Sequence, residues 1–159
     1  ALRQALAASV GDAAAADALR RAGHAAGDTL FRILSGESAA TDMPGERFWA
    51  GVSRLFSSRG WGQLTFSQAH PGVGALDAGD WAEAATASAG QPPCHSPTGM
   101  LANLLGQPAS AKIAVLEVEC RSRGDARCRF LFGSPEAMTS LYERVAAGDA
   151  PDAALTQLG

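Results

Sequence analysis

EVECRSRGDARCRF, residues 117–130, holds two of the chain's three cysteines, separated by seven residues that include a Gly-Asp turn. Glu117 lies three residues before the first thiol. Polar and apolar residues alternate on both sides of the turn, as in a β-hairpin. Register decides what the thiols can do, because one residue of slip turns every side chain to the other face. A two-residue loop, Gly124-Asp125, sets Cys120 against Arg129 and puts the thiols on opposite faces. A three-residue loop, Arg123 to Asp125, sets Cys120 directly across from Cys128. The apolar pattern selects the second, since Leu116, Val118, Cys120, Cys128, Phe130 and Phe132 then share one face.

Directly opposed Cβ atoms lie about 4.5–5.5 Å apart, which lets both thiols reach one zinc at a Zn–S distance of about 2.3 Å. In a regular strand Glu117 faces away from Cys120. Glu119 and Arg129 do the same and oppose each other as an exposed ion pair. Glu117 can join the thiols only through a bulge near position 118 or 119. Two cysteines on an apolar hairpin face need no metal, so the hairpin alone leaves zinc and free buried thiols both open.

The remaining cysteine, Cys94, precedes a helix expected over residues 97–105, with Ser96 as N-cap, Pro97 at the first helical position and Gly106 just past the end. A helix N-terminus favours a thiolate. If this helix packs across the hairpin, three thiolates converge.

Around these segments the pattern reads as one α+β domain. Residues 13–35 form an alanine-rich helix with Leu19, Ala22, Ala26, Leu30, Ile33 and Leu34 near a 3.6-residue period. Gly23 and Gly27 mark close packing against a neighbour. Residues 35–46 are a connector, and 47–58 a helix with Phe48, Trp49, Val52, Leu55 and Phe56 on one stripe. Strands at 61–68 and 73–78 join through His70-Pro71-Gly72, and 85–93 is loop. The second hairpin uses 112–123 and 126–132. Ser134, Pro135 and Gly148 delimit a last helix, and the tail from Asp149 is expected to fray. The expected architecture is an antiparallel sheet of two hairpins covered on one face by helices, in a single domain over 1–148, with 149–159 as tail.

The chain has 159 residues, 47% of them hydrophobic, and a net charge of −3. That charge offers no general attraction for nucleic acid or anionic membrane. No apolar run nears the roughly 18 residues that cross a bilayer. The N-terminal stretch is broken by Gly11, Asp12 and Asp17, unlike a signal peptide. Three cysteines are too few for a secreted disulfide framework, and a reducing bacterial cytoplasm is expected.

PPCHSPTGMLANLLG (92–106) followed by VLEVECRSRGDARCRF (115–130) resembles the C-terminal half of the 4-vinyl reductase domain family: a Cys, a helix with a Gly, E-x-x-C, a Gly-Asp turn and C-x-F. The resemblance covers about residues 59–134, including Gly60-Trp61-Gly62, and is specific from 94 to 132. It implies a fold similar to vesicle-tethering subunits that hold an acyl chain. The family includes bacteriochlorophyll-biosynthesis proteins and aromatic-sensing domains of bacterial activators. In those sensors three Cys and one Glu hold zinc. Carried over residue by residue, this implies ligands at Cys94, Glu117, Cys120 and Cys128, and with them the bulge. The sensors' ligand-contacting His and Trp lie upstream of the first Cys, where Trp49, Trp61, His70 and Trp81 fall without a one-to-one match.

A pocket is expected between helices and sheet, lined by Phe31, Trp49, Val52, Phe56, Trp61, Phe66, Met100 and Leu104, with Leu34 and Leu101 beside them. Each also reads as plain core. Trp49 and Trp61 combine a large apolar face with an N–H suited to a flat ligand. His95, adjacent to Cys94, is no activated-nucleophile partner; His24 reads as a helix histidine and His70 as a turn residue. Arg121, Arg123, Arg127 and Arg129 read as a solvated strand face rather than an anion patch. The glycines of 71–79 match no nucleotide loop.

The expectation is a sensor or carrier domain, not an enzyme, for a hydrophobic or aromatic small molecule, stapled by structural zinc and homodimeric, with no nucleic-acid contact through this chain. The alternatives are a tetrapyrrole-binding accessory or 4-vinyl reductase of (bacterio)chlorophyll biosynthesis, and a protein–protein adaptor without ligand.

Overall fold

The computed structural model describes residues 2–37, 45–86 and 94–159. Its helices are α1 (Leu2–Val10), α2 (Asp12–Glu37), α3 (Gly45–Ser57), α4 (His95–Ala109), α5 (Pro135–Ala146) and α6 (Pro151–Leu155). Its strands are β1 (Thr65–His70), β2 (Val73–Ala78), β3 (Ala114–Glu119) and β4 (Cys128–Gly133), and short 3-10 turns occupy Ala82–Thr86 and Arg121–Arg123. The four strands form one antiparallel sheet in the order β1-β2-β4-β3. The α+β class and the two hairpins are as expected. The connectors expected at 35–46 and 85–93 lie mostly outside the described residues.

Alternation along β2 and β4 builds two cores. Leu76, Ala78, Cys128 and Phe130 face α2, α3 and α4, where Leu34, Val52, Phe56, Leu101 and Leu104 meet them. Val73, Ala75, Val118 and Leu131 face the other way, onto Met138 and Leu141 of α5 and Ala154 and Leu155 of α6. Helices therefore cover both faces, a layer beyond the one expected. Residues 149–159 are correspondingly no frayed tail: α6 buries Leu155 to 5% exposure because the second sheet face needs a cover.

The crossing of α2 and α4 explains the glycines in both. A Cβ on Gly23 would lie 2.0 Å from the Ser96 carbonyl oxygen, and one on Gly99 2.0 Å from that of Arg20. Backbone meets backbone here, which glycine alone permits. Asn103 Nδ2 ties the crossing by donating to the His24 carbonyl at 2.6 Å. The buried line of α2 is consequently Ala15, Gly23, Gly27 and Leu34, while Ala22 and Ala26 of the expected stripe are exposed. α4 begins two residues before Pro97, which sits in the first turn where its missing N–H costs nothing. It also runs past Gly106, whose lack of a side chain admits the Ala111 carbonyl.

β1 starts at Thr65, later than expected, because Gly62 (φ +126°) turns the chain and Gln63 N donates to Asp80 Oδ1 at 2.9 Å. α1 was not foreseen. It buries no residue and is set off from α2 by Gly11 at φ +85°.

Candidate metal centre

The 117–130 segment pairs in two registers. Ala114 to Glu117 oppose Gly133 to Phe130, then Glu119 opposes Arg129, so the ladder slips by one residue between Glu117 and Glu119. This is the bulge that the family resemblance implied. Beyond it Cys120 comes opposite Cys128, as the three-residue loop required, and their Sγ atoms are 4.0 Å apart. Before it Glu117 opposes Phe130 and joins the thiols, while Leu116 and Val118 turn to the α5–α6 core. The regular strand that grouped those two with the cysteines is corrected here. Apolar residues on both faces of β3 disguised the slip.

The connection is also longer than a tight turn, because Cys120 enters a 3-10 turn closed by Gly124 at φ +98°. Asp125 Oδ2 accepts from Cys120 N at 2.7 Å, and Arg123 Nη2 donates to the Val118 carbonyl at 2.7 Å and meets Asp125 at 3.2 Å. These contacts fix the backbone on both sides of the Cys120 thiol. Cys94 comes from the opposite layer as the residue that caps α4.

The four donor atoms of Cys94, Glu117, Cys120 and Cys128 lie within 4.8 Å of one another, and all four residues are buried. Tetrahedral zinc with thiolates at about 2.3 Å separates sulfurs by about 3.8 Å, so the set fits with a contraction of less than an ångström. Both Glu117 oxygens lack a hydrogen bond of ordinary geometry although the side chain is only 8% exposed. A buried orphan carboxylate is costly unless it is neutralised or bound to a cation. Burial raises its pKa, tempered by the nearby Cys94 and Cys120 thiols. Burial pushes Cys120 up to about 11, and hydrogen bonding to Cys128 followed by burial holds Cys94 up. The Cys94 hydrogen bond in turn lowers Cys128 to about 7. Four groups that resist sharing negative charge match the needs of a divalent cation. With four protein donors, the bound ion has no open coordination position and its chemistry is structural.

An aromatic cluster adjoins the centre. Ala82 N donates to the Trp61 carbonyl at 2.9 Å, which holds the Trp61 and Trp81 segments together with ring centroids 5.9 Å apart. Trp81 also contacts Phe56 at 5.7 Å and Phe130 at 5.4 Å. It is fully buried, and its indole Nε1 has no hydrogen-bond partner. Phe130 links the two sites, since it packs on Trp81 and pairs with Glu117. Glu83, two residues after Trp81, is pushed up to about 7 by burial and by Glu117.

Of the expected pocket residues, Val52, Phe56 and Leu104 lie in the same core as the cysteines, with Phe31, Trp49, Trp61 and Phe66 packed against it. Trp49 stacks on Phe66 at 4.0 Å rather than presenting a free face. Met100 is buried but outside this cluster. Trp81, one of four aromatics and histidines in the right region, proves the most enclosed. Its GDW context held no signal beyond the Asp80 turn. Cavities of about 760 and 570 Å³ lie elsewhere, along α2–α4 and beside α5.

The arginines are committed: Arg127 meets Glu119 at 2.9 Å and Asp77 at 3.2 Å, and Arg129 lies between Asp77, Glu119 and Asp152 at 3.6–3.7 Å. The Glu119–Arg129 pair is thus part of a half-buried network rather than an exposed bridge, because α6 covers it. His95 Nδ1 lies 3.5 Å from Arg20.

Residues 79–134 match the vinyl-4-reductase (V-4-R) domain family. No curated protein matches the chain. The crystal structure of the phenol-responsive sensory domain of the transcription activator PoxR with phenol is similar at a TM-score of 0.72 and 18% identity, over 93% of this chain and 78% of that one. A vinyl-4-reductase family protein from Methanocaldococcus jannaschii is similar at 0.54 and 20%, over 72% and 66%. The resemblance to the 4-vinyl reductase domain family therefore stands: the chain carries that family's domain match in residues 79–134 and has the fold of these two structures.

Proposed function

We propose that this chain is a small-molecule-binding domain for a hydrophobic or aromatic ligand, of sensor or carrier type, with zinc held by Cys94, Glu117, Cys120 and Cys128. The observation that carries the reading is the Trp81 indole N–H, buried without a partner in an aromatic wall beside the four-donor cluster. An unmet donor in an apolar enclosure suits a flat ligand with one polar acceptor, such as a phenol oxygen. Similarity to a phenol-responsive domain supports this choice of ligand class. Zinc would supply charge neutralisation and a staple joining α4 to the hairpin. Phe130, in contact with Trp81 and paired with Glu117, then transmits the rigidity of the staple to the ligand wall.

A filled-core adaptor is the second reading, favoured by the close ring contacts of the cluster. Titration with phenol, followed by tryptophan fluorescence, separates the two. Saturable quenching that weakens in Trp81→Phe supports the ligand reading; a flat response supports the adaptor. A change in visible absorbance on adding a porphyrin instead of phenol would favour the tetrapyrrole alternative.

A further inference from the structure

We propose that the outer edge of β3, with the basic trough beside it, receives an extended acidic segment of a partner protein as a fifth strand. The sheet order leaves β3 at an edge, and among the described residues no strand pairs with its outer side. An unpaired edge presents alternate N–H and C=O groups that another chain can complete. The available run is about Ile113 to Glu117, because Arg123 Nη2 already occupies the Val118 carbonyl.

Two cavities line this edge, of about 760 and 280 Å³. They share His24 and Ala102 and so form one trough between α2 and α4, with Ile113 and Val115 as its β3 wall. Arg20, Arg21 and Lys112 border it, and Lys112 is the chain's one lysine. The nearby acids are already engaged: Asp17 pairs with Arg21 at 3.2 Å, and Asp28 accepts from Gln107 at 2.9 Å. A local basic channel on a chain of net charge −3 is therefore a feature of this groove and not of the bulk composition.

A strand added about 4.8 Å outside β3 directs every second side chain toward α2 and α4. Acidic residues at that period would meet Arg20, Arg21 and Lys112, with the apolar flank of Val115 between them. A second copy of this chain is the poorer occupant, since a symmetric β3–β3 pairing brings the same cations together.

The test uses a fluorescein-labelled octapeptide of alternating Glu and Val, titrated with the full chain and read by anisotropy. Arg21→Glu/Lys112→Glu is the paired variant; both side chains are exposed, and circular dichroism checks that the variant is folded. We expect saturable binding that weakens about tenfold or more in the variant, and similarly when alternate peptide nitrogens are methylated. Absence of saturable binding up to about 1 mM overturns the proposal. So does equal binding by the variant or by the N-methylated peptide, or a wild type that is dimeric through this edge while the variant is monomeric.

Discussion

Trp81→Phe separates the stability of the aromatic wall from its use. The substitution removes three ring atoms from a fully buried side chain, one of them the unpartnered N–H. Leaving roughly 40 Å³ unfilled costs about 1 kcal/mol at the usual ~24 cal/mol per Å³. Two lost carbons cost about 1.5 kcal/mol of apolar transfer. Against this, deleting a buried donor without a partner returns about 1–3 kcal/mol. The terms nearly cancel, so the variant should lie within about 1.5 kcal/mol of wild type, whereas Trp81→Ala should lose about 3–5 kcal/mol. Urea denaturation at unchanged m-value measures both. Phenol affinity should move the other way, falling about fivefold or more as one hydrogen bond is lost. A loss above about 3 kcal/mol with unaltered phenol binding would refute the reasoning, for it would mean that the N–H is satisfied within the fold and has no ligand to meet.

Three further substitutions probe other contacts. Gly99→Ala places a methyl 2.0 Å from the Arg20 carbonyl and should cost at least about 1–3 kcal/mol in thermal or urea unfolding, while Gly79→Ala, with nothing within 4 Å, should change little. Asp125→Ala removes the 2.7 Å bond to Cys120 N and the Arg123 pair; transfer of metal to a chromophoric chelator should quicken about tenfold or more. Glu83 has a folded pKa raised to about 7 by burial, then by Glu117. Its contribution is therefore present below its unfolded value and is lost as pH rises through 7. Relative to wild type, Glu83→Gln should gain stability between pH 4.5 and 7, read as a difference in denaturation midpoints at the two ends.

What was legible in the sequence follows from how locally each element is determined. β2 was placed residue for residue because alternation and a Pro-Gly turn mark it, and α5 because Ser134 accepts from Ala137 N as a cap should. The α4 boundaries misled because Pro97 tolerates a first turn and Gly106 was needed for a close carbonyl rather than for a stop. α1 and α6 lack a periodic stripe, one burying nothing and the other being only five residues long. The bulge that brings Glu117 to the thiols was invisible to periodicity, since Leu116 and Val118 are apolar for a second core that only α5 and α6 explain. Family resemblance supplied it. Trp81 was set apart from Trp49 and Trp61 by tertiary packing alone: stacking on Phe66 engages Trp49, while the pairing of 61 with 82 encloses Trp81.

The most direct test of the metal centre is the metal content of protein purified without added metal, beside Cys128→Ser. The account predicts about one zinc per chain, lost in the variant together with a large part of its thermal stability. A stable wild type that carries no metal and yields all three thiols to titration on unfolding would contradict it, and would leave Cys94, Cys120 and Cys128 as buried apolar side chains around an unneutralised Glu117.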